Sequence, residues 1–299
     1  MSSIRSDRGQ ATVLTVIFLV ALIGAVALVL DVGSWFREQR DSQSTADAAA
    51  LAAAQALPES PADARVLANE YVAKNGGGER EITFSSRVAP NDTVTVRVER
   101  DAPGIFAKLF GISSVNIGAR AVARAGGLAK ARWAAPIGVD QRHPLLQCKP
   151  LPCFGEETTL DLEKVGPGAF RLLNLDGSKG GTGPGTLAEW VVRGFDGYMP
   201  LGWYGSDPGA KFSSSQVKSA LNIRIGDELL FPIYLQTREN GANFEYEING
   251  WVGFVVTSFS GNGNHGTISG AFVRVIWEGI QSDAGTENDY GARAVALVG

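Results

Sequence analysis

The residues best suited to chemistry are few. The chain has two histidines, His143 and His265, and two cysteines, Cys148 and Cys153. A tetrahedral zinc site takes four such ligands and would have to recruit all of them. The run Cys148-Lys149-Pro150-Leu151-Pro152-Cys153 instead fits a local disulfide in an exported domain, with two free thiols as the other reading. Asn174, Asp176 and Ser178 alternate as calcium-loop ligands do, but the twelfth position from Asn174 is Gly185 where an acid is needed. A turn between strands is expected there. The run Gly180-Gly181-Thr182-Gly183-Pro184-Gly185 lacks the Gly-Lys-Ser/Thr ending of a phosphate loop, and Pro184 removes an N–H that such a cradle uses.

Nucleophilic catalysis has no better footing. No Gly-x-Ser-x-Gly elbow occurs, and both histidines fall in loop-like surroundings where surface positions are expected. Glu156-Glu157 and Asp161/Glu163 would suit glycoside hydrolysis only at a set separation, so solvated strand edges are the default. The sequence assigns no catalytic, cofactor-binding or metal-binding residue, and the chain is read as a non-enzyme. Its aromatics concentrate late. Trp251 and Trp277 lie in strand-like runs and are expected in the core. Tyr198-Met199-Pro200-Leu201-Gly202-Trp203-Tyr204 reads as a loop that packs on its domain, with a contact patch for a sugar or protein as the alternative.

The elements behind these residues fall into three parts: 1–57, 58–127 and 128–299. Residues 128–299 read as a β-rich sandwich or barrel-like domain. Strands are expected around Trp133–Val139, Ala169–Asn174, Glu228–Tyr234, Gly250–Ser258, Gly270–Trp277 and Ala292–Val298, with short helices at Thr186–Arg193 and Ser214–Ala220. Gly126-Gly127 marks the expected boundary. Residues 58–127 read as a small α+β module. Pro61–Lys74 is a helix ended by Asn75-Gly76-Gly77-Gly78. Ile82, Phe84 and Val88, then Val94, Val96 and Val98, alternate with polar residues around a Pro90-Asn91-Asp92 turn and form a hairpin. A short helix at Ile105–Phe110 and a strand through Val115–Ala123 follow.

The first part dominates the reading. Ala11–Leu30 carries no charge, and at ~1.5 Å per residue it spans about 30 Å of hydrocarbon as a helix. A secretory signal has a shorter apolar stretch, and no Ala-x-Ala site follows this one, so an uncleaved anchor is expected. Val32, Trp35, Phe36 and the alanine-rich Thr45–Ala56 continue at helical spacing until Leu57-Pro58. Arg5 and Arg8 favour a cytoplasmic N-terminus. Arg37 and Arg40 weaken that bias, and the short tail and large C-terminal part restore it. Net charge is only −4, with no basic run away from the anchor, which argues against nucleic-acid binding.

Arg8-Gly9-Gln10-Ala11, the apolar span, Asp31-Val32-Gly33 and the TADAAALAAAQAL run from Thr45 to Leu57 resemble the TadE/TadG-like Flp (tight adherence) pilus-assembly proteins. The resemblance extends more loosely through Asn75-Gly76 and Ala119–Ala125. Phe170–Gly177 and Gly241–Tyr246 are similar to the C-terminal regions of some members. It implies a membrane-anchored structural protein that assists assembly or anchoring of a type IV-like pilus, or is a minor pilus component. Its partners would be the lipid bilayer and, through the N-terminal helix, other pilus subunits. Pilins of the broader class place a glutamate five residues after the glycine at their cleavage point; with Gly9 as that glycine, the position holds Leu14. The Asp-x-Ser-x-Ser metal motif of some members is incomplete at Asp176-Gly177-Ser178-Lys179-Gly180. A surface-tethered adhesin that binds glycan or protein is the alternative function.

Overall fold

The computed structural model describes residues 8–149, 152–162, 171–178, 181–207, 211–238, 244–262, 265–282 and 289–298. Glu163, Ala169, Phe170, Lys179, Gly180 and Gly241–Asn243, on which parts of the sequence reading fall, lie outside the described residues. The fold is α+β, as read from the sequence: a long apolar N-terminal helix, mixed α/β structure, and curled β-sheets in the C-terminal region. The chain divides into two compact units, Met1–Arg124 with Leu297–Gly299, and Ala125–Ala296.

In the first unit, helix α1 runs unbroken from Arg8 to Ala54. From Ala11 to Leu30 it is exposed except at Ala27. Further along, Ser42, Thr45, Ala46, Ala49, Ala50, Ala53 and Ala54 are buried. Alanine both favours the helix and, with its single methyl, lets neighbouring backbones approach closely. Here α1 packs against helix α2 (Pro61–Lys74) and strand β2 (Thr93–Pro103). The matching surface on α2 is Ala64, Ala68 and Val72, at fourfold spacing. Ser60 caps α2 by accepting from the Asp63 N–H at 3.2 Å, and Pro61 fills the first helical position.

Strand β1 (Glu79–Ser85), β2 and the first residues of β3 (Ser114–Ala131) form an antiparallel meander. Val94, Val96 and Val98 face the core alongside Ala119, Ala121 and Ala123. The β1–β2 turn is built around buried Asp92, whose carboxylate accepts from the N–H groups of Arg87, Val88 and Ala89 at 2.8–3.0 Å. Asn91 takes the left-handed backbone at φ 56°, a conformation asparagine tolerates.

In the second unit, β4 (Val139–Asp140), β5 (Glu157–Asp161), β7 (Gly202–Gly205), β8 (Glu228–Arg238), β9 (Glu245–Asn262) and β10 (His265–Val273) form one sheet. Its path is β4-β8-β9-β10-β5, and β7 pairs with β9. Strand β8 is buried at every residue from Leu229 to Tyr234, the continuous apolar pattern of a strand covered on both faces. Phe254 stacks on Phe231 and meets Phe272 edge-on, both at 5.2 Å between ring centroids. At Gly270 the register with β9 shifts, and an added Cβ would lie 1.9 Å from the Val255 carbonyl oxygen. Residues of β3 in this unit pair with β6 (Met199–Pro200) and β12 (Gly279–Gln281), and β11 (Val275–Ile276) runs parallel to β13 (Ala292–Leu297). Helices α3 (Pro184–Arg193) and α4 (Ser215–Ile223) pack on each other.

Several expected elements differ. Trp133–Val139 is no regular strand: Trp133 is left-handed at φ 60°, and only isolated bridges at Ala134 and Ile137 precede β4. The chain instead turns so that the Trp133 N–H reaches the Phe195 carbonyl. Gly126-Gly127 lies inside β3, just past the Arg124/Ala125 point at which the chain divides into its two units. The Tyr198–Tyr204 stretch supplies β6 and β7. The expected helix at Ile105–Phe110 is a single 3₁₀ turn, Ala107–Phe110.

Candidate membrane anchor and assembly surface

The apolar half of α1 begins the site. Among the described residues, α1 is the one helix long and apolar enough to cross a membrane. Val16, Ile17, Phe18, Leu19, Val20 and Leu22 are each more than half exposed. In water such a cylinder would be strongly unfavourable at roughly 25 cal/mol per Å² of apolar surface; in lipid it has no such cost.

Past Leu30 a polar stripe fastens α1 to its own unit. Asp31, Trp35, Gln39 and Gln43 recur every fourth residue and therefore share one side of the helix. The buried Asp31 carboxylate accepts from the backbone N–H groups of Ile105, Phe106 and Ala107. The Trp35 indole N–H donates to the Pro103 carbonyl at 3.2 Å. Gln39 and Gln43 donate to the carbonyls of Gly118 and Arg120, at 3.1 and 3.2 Å. Those two carbonyls are two residues apart and so lie on one edge of β3, which the helix side chains cover. The Arg100 guanidinium adds a second fastening, donating to Thr45 Oγ1 and the carbonyls of Asn75 and Gly77 and pairing with Glu38 at 3.3 Å. The sequence reading found the apolar and alanine faces and missed this stripe. Its signal was present as side chains able to hydrogen-bond at i, i+4, i+8 and i+12 from Asp31, with Trp35 contributing only its indole N–H.

The sequence-derived candidates for chemistry do not converge. Cys148 and Cys153 form a disulfide. His143 is half-buried, a correction to its expected surface position. Its ring meets Phe272 edge-on at 5.1 Å, its Nδ1 accepts from the Leu145 N–H, and burial, aided by Arg171 and opposed by Asp140, lowers its pKa. His265 is exposed at the β9–β10 hairpin. Asn174, Asp176 and Ser178 bond to one another, and Asn174 Oδ1 also accepts from the Thr182 hydroxyl at 3.0 Å. Asn174 Nδ2 donates to the Ser178 carbonyl, and Asp176 Oδ1 accepts from the Ser178 N–H. Nearby, burial raises the Asp207 carboxyl's pKa even though the Lys211 ammonium and the Thr182 N–H bind it. Glu156 and Glu157 are exposed at the start of β5 and Asp161 is exposed at its end, as solvated strand-edge positions, while Glu163 lies outside the described residues. No group of three or more His, Cys, Asp or Glu that could hold a metal occurs among the described residues.

In the aromatic stretch Tyr198 and Leu201 are exposed. Met199 and Tyr204 are buried, and the Arg238 guanidinium lies 4.2 Å over the Trp203 ring. Trp251 is in the core, as expected, but Trp277 is only half-buried and donates to the Arg132 carbonyl at 2.7 Å. Arg132 itself pairs with Asp196 and Glu278 and lies 4.4 Å over Trp133, an arrangement that ties surface segments of the second unit together.

An exposed apolar span, continued by a packed stretch of the same helix, defines a single-pass membrane-anchored protein. Residues 9–56 match the putative Flp pilus-assembly TadE/G-like family, and residues 33–123 match the putative Tad-like Flp pilus-assembly family. The resemblance carried by Arg8–Leu57 and the α+β module is therefore shown over residues 9–123. No curated protein and no solved structure matches the chain.

Proposed function

We propose that the protein assists assembly or anchoring of a type IV-like Flp pilus, with its N-terminus in the cytoplasm and its bulk outside the membrane, either as an envelope factor or as a minor pilus component. The observation that carries this reading is α1 itself. Its exposed half, Ala11–Leu30, offers an apolar surface both to lipid and to other helices in the membrane. The same helix is then fixed rigidly to an α+β module that matches pilus-assembly families. The Cys148–Cys153 disulfide supports an oxidising compartment for the second unit.

Deleting the gene and counting surface filaments tests the proposal. Loss or shortening of filaments is expected, with recovery on expression of the full chain. Unchanged filaments in the deletion strain would contradict it. Probing sheared filaments and envelopes separately for the chain distinguishes the two roles.

A further inference from the structure

The β2–β3 connection, Gly104–Ser113, carries Ile105, Phe106, Leu109, Phe110 and Ile112 with Lys108 as its one charge. Leu109 and Phe110 are 83% and 81% exposed, and Ile105 is 62% exposed. Such a concentration of large apolar side chains on a tip marks a contact surface. The backbone beneath them is well built. Gly104 donates to the Ser113 carbonyl, left-handed Gly111 closes the 3₁₀ turn at φ 85°, and Asp31 accepts the N–H groups of Ile105, Phe106 and Ala107. The tip is thus held to α1 through its backbone while its apolar side chains are left outward.

Its level along α1 identifies what covers it. Phe106 shares an apolar recess of about 200 Å³ with Leu22, Ile23, Val26 and Ala27, all residues of the span. At ~1.5 Å per residue, Ile23–Ala27 lies about 5–10 Å before Leu30, the depth to which interfacial apolar surfaces sink into a leaflet. Whatever surrounds the span at that level also surrounds the tip. We propose that the Ile105–Ile112 loop is a second membrane contact, inserted into the leaflet that holds the C-terminal end of the span. Lys108 would extend its ammonium back to the lipid phosphates. Two attachments would fix the tilt and rotation of the first unit against the bilayer. This inference rests on the reading of Ala11–Leu30 as a bilayer span.

The test uses the full chain in phosphatidylcholine–phosphatidylglycerol vesicles, with the Cys148–Cys153 disulfide kept oxidised. Leu109→Cys, Leu19→Cys and Val88→Cys are each labelled with an environment-sensitive fluorophore, and lipids carrying a nitroxide on the acyl chain act as quenchers. Labels at 109 and 19 should shift to the blue and lose about half their intensity or more, while a label at 88, in the β1–β2 turn, stays aqueous. A quenched label at 19 with an aqueous label at 109 overturns the proposal and leaves the span standing. Unquenched labels at both positions overturn the span and the proposal together. A blue shift at 109 without nitroxide quenching, lost on dilution of the protein, assigns the tip to a protein contact and also overturns it.

Discussion

Two stretches of α1 differ in side-chain size and in surroundings. Ala11–Leu30 is rich in Val, Leu and Ile and is exposed except at Ala27; Ala46–Ala54 is mostly alanine and is buried at Ala46, Ala49, Ala50, Ala52, Ala53 and Ala54. Large branched side chains suit a fluid solvent that fills any gap. A methyl group suits a close protein interface, where volume is fixed to within a methylene. Side-chain size changes between the part of the helix that meets lipid and the part that meets protein. Asp31 marks the change, with its carboxylate committed to three backbone N–H groups.

That contrast can be broken from either side. Val20→Arg places a charge near the centre of the span, and should cost about 3 kcal/mol of insertion free energy, read as loss of the chain from the membrane fraction. The folded first unit should be unaffected. Ala50→Leu should do the reverse. It overfills a fully buried site and should lower the unfolding free energy by about 1–3 kcal/mol, while membrane partition is unchanged. Ala21→Leu, the same substitution in the span, should leave the unfolding midpoint where it is.

Asp92→Ala should cost about 1–1.5 kcal/mol, because water can reach the exposed turn and replace part of what the carboxylate supplies. Burial raises the Asp92 pKa, but the N–H groups of Ala89, Arg87 and Val88, with Thr93, outweigh it and hold it below the ordinary 3.8. A depressed folded pKa gives stability that is complete above the unfolded value and disappears as pH falls through the folded one. The difference in denaturation midpoint between wild type and Asp92→Ala should therefore be constant near neutrality and close below the ordinary carboxylate range. Gln43→Ala is the mildest change, removing the hydrogen bonds of one partly exposed amide to the Arg120 carbonyl and to Asp47 Oδ1, and should shift stability by less than about 1 kcal/mol.

Periodicity made much of this legible in the sequence. The span follows from an unbroken uncharged apolar run, α2 from its Ser60-Pro61 start and its glycine stop, and the alanine face and the β1–β2 hairpin from local spacing. The short helices α3 and α4 follow from their amphipathic pattern and from Pro184 and Ser214 at their starts. What escaped depends on partners distant in sequence. Strands β6 and β12 exist because β3 offers them an edge, and nothing in their own two or three residues signals it. Trp133–Val139 has a strand-like composition, but the left-handed Trp133 redirects it. The Asp31 stripe was hidden for a related reason. Its bonding partners lie some seventy residues away, and polar side chains just past an apolar run read first as solvated.

The central claim is that one continuous helix passes from a lipid environment to a protein environment at Asp31. Single cysteines placed along α1 from Val13 to Ala53 in native membranes, with the Cys148–Cys153 disulfide oxidised, can be titrated with a membrane-impermeant maleimide. Positions from 13 to 30 should react only after detergent is added. Positions 46, 49, 50 and 53 should stay protected in detergent and react only in denaturant. A uniform response along the helix, or free reaction between 13 and 30 in intact membranes, would contradict the account.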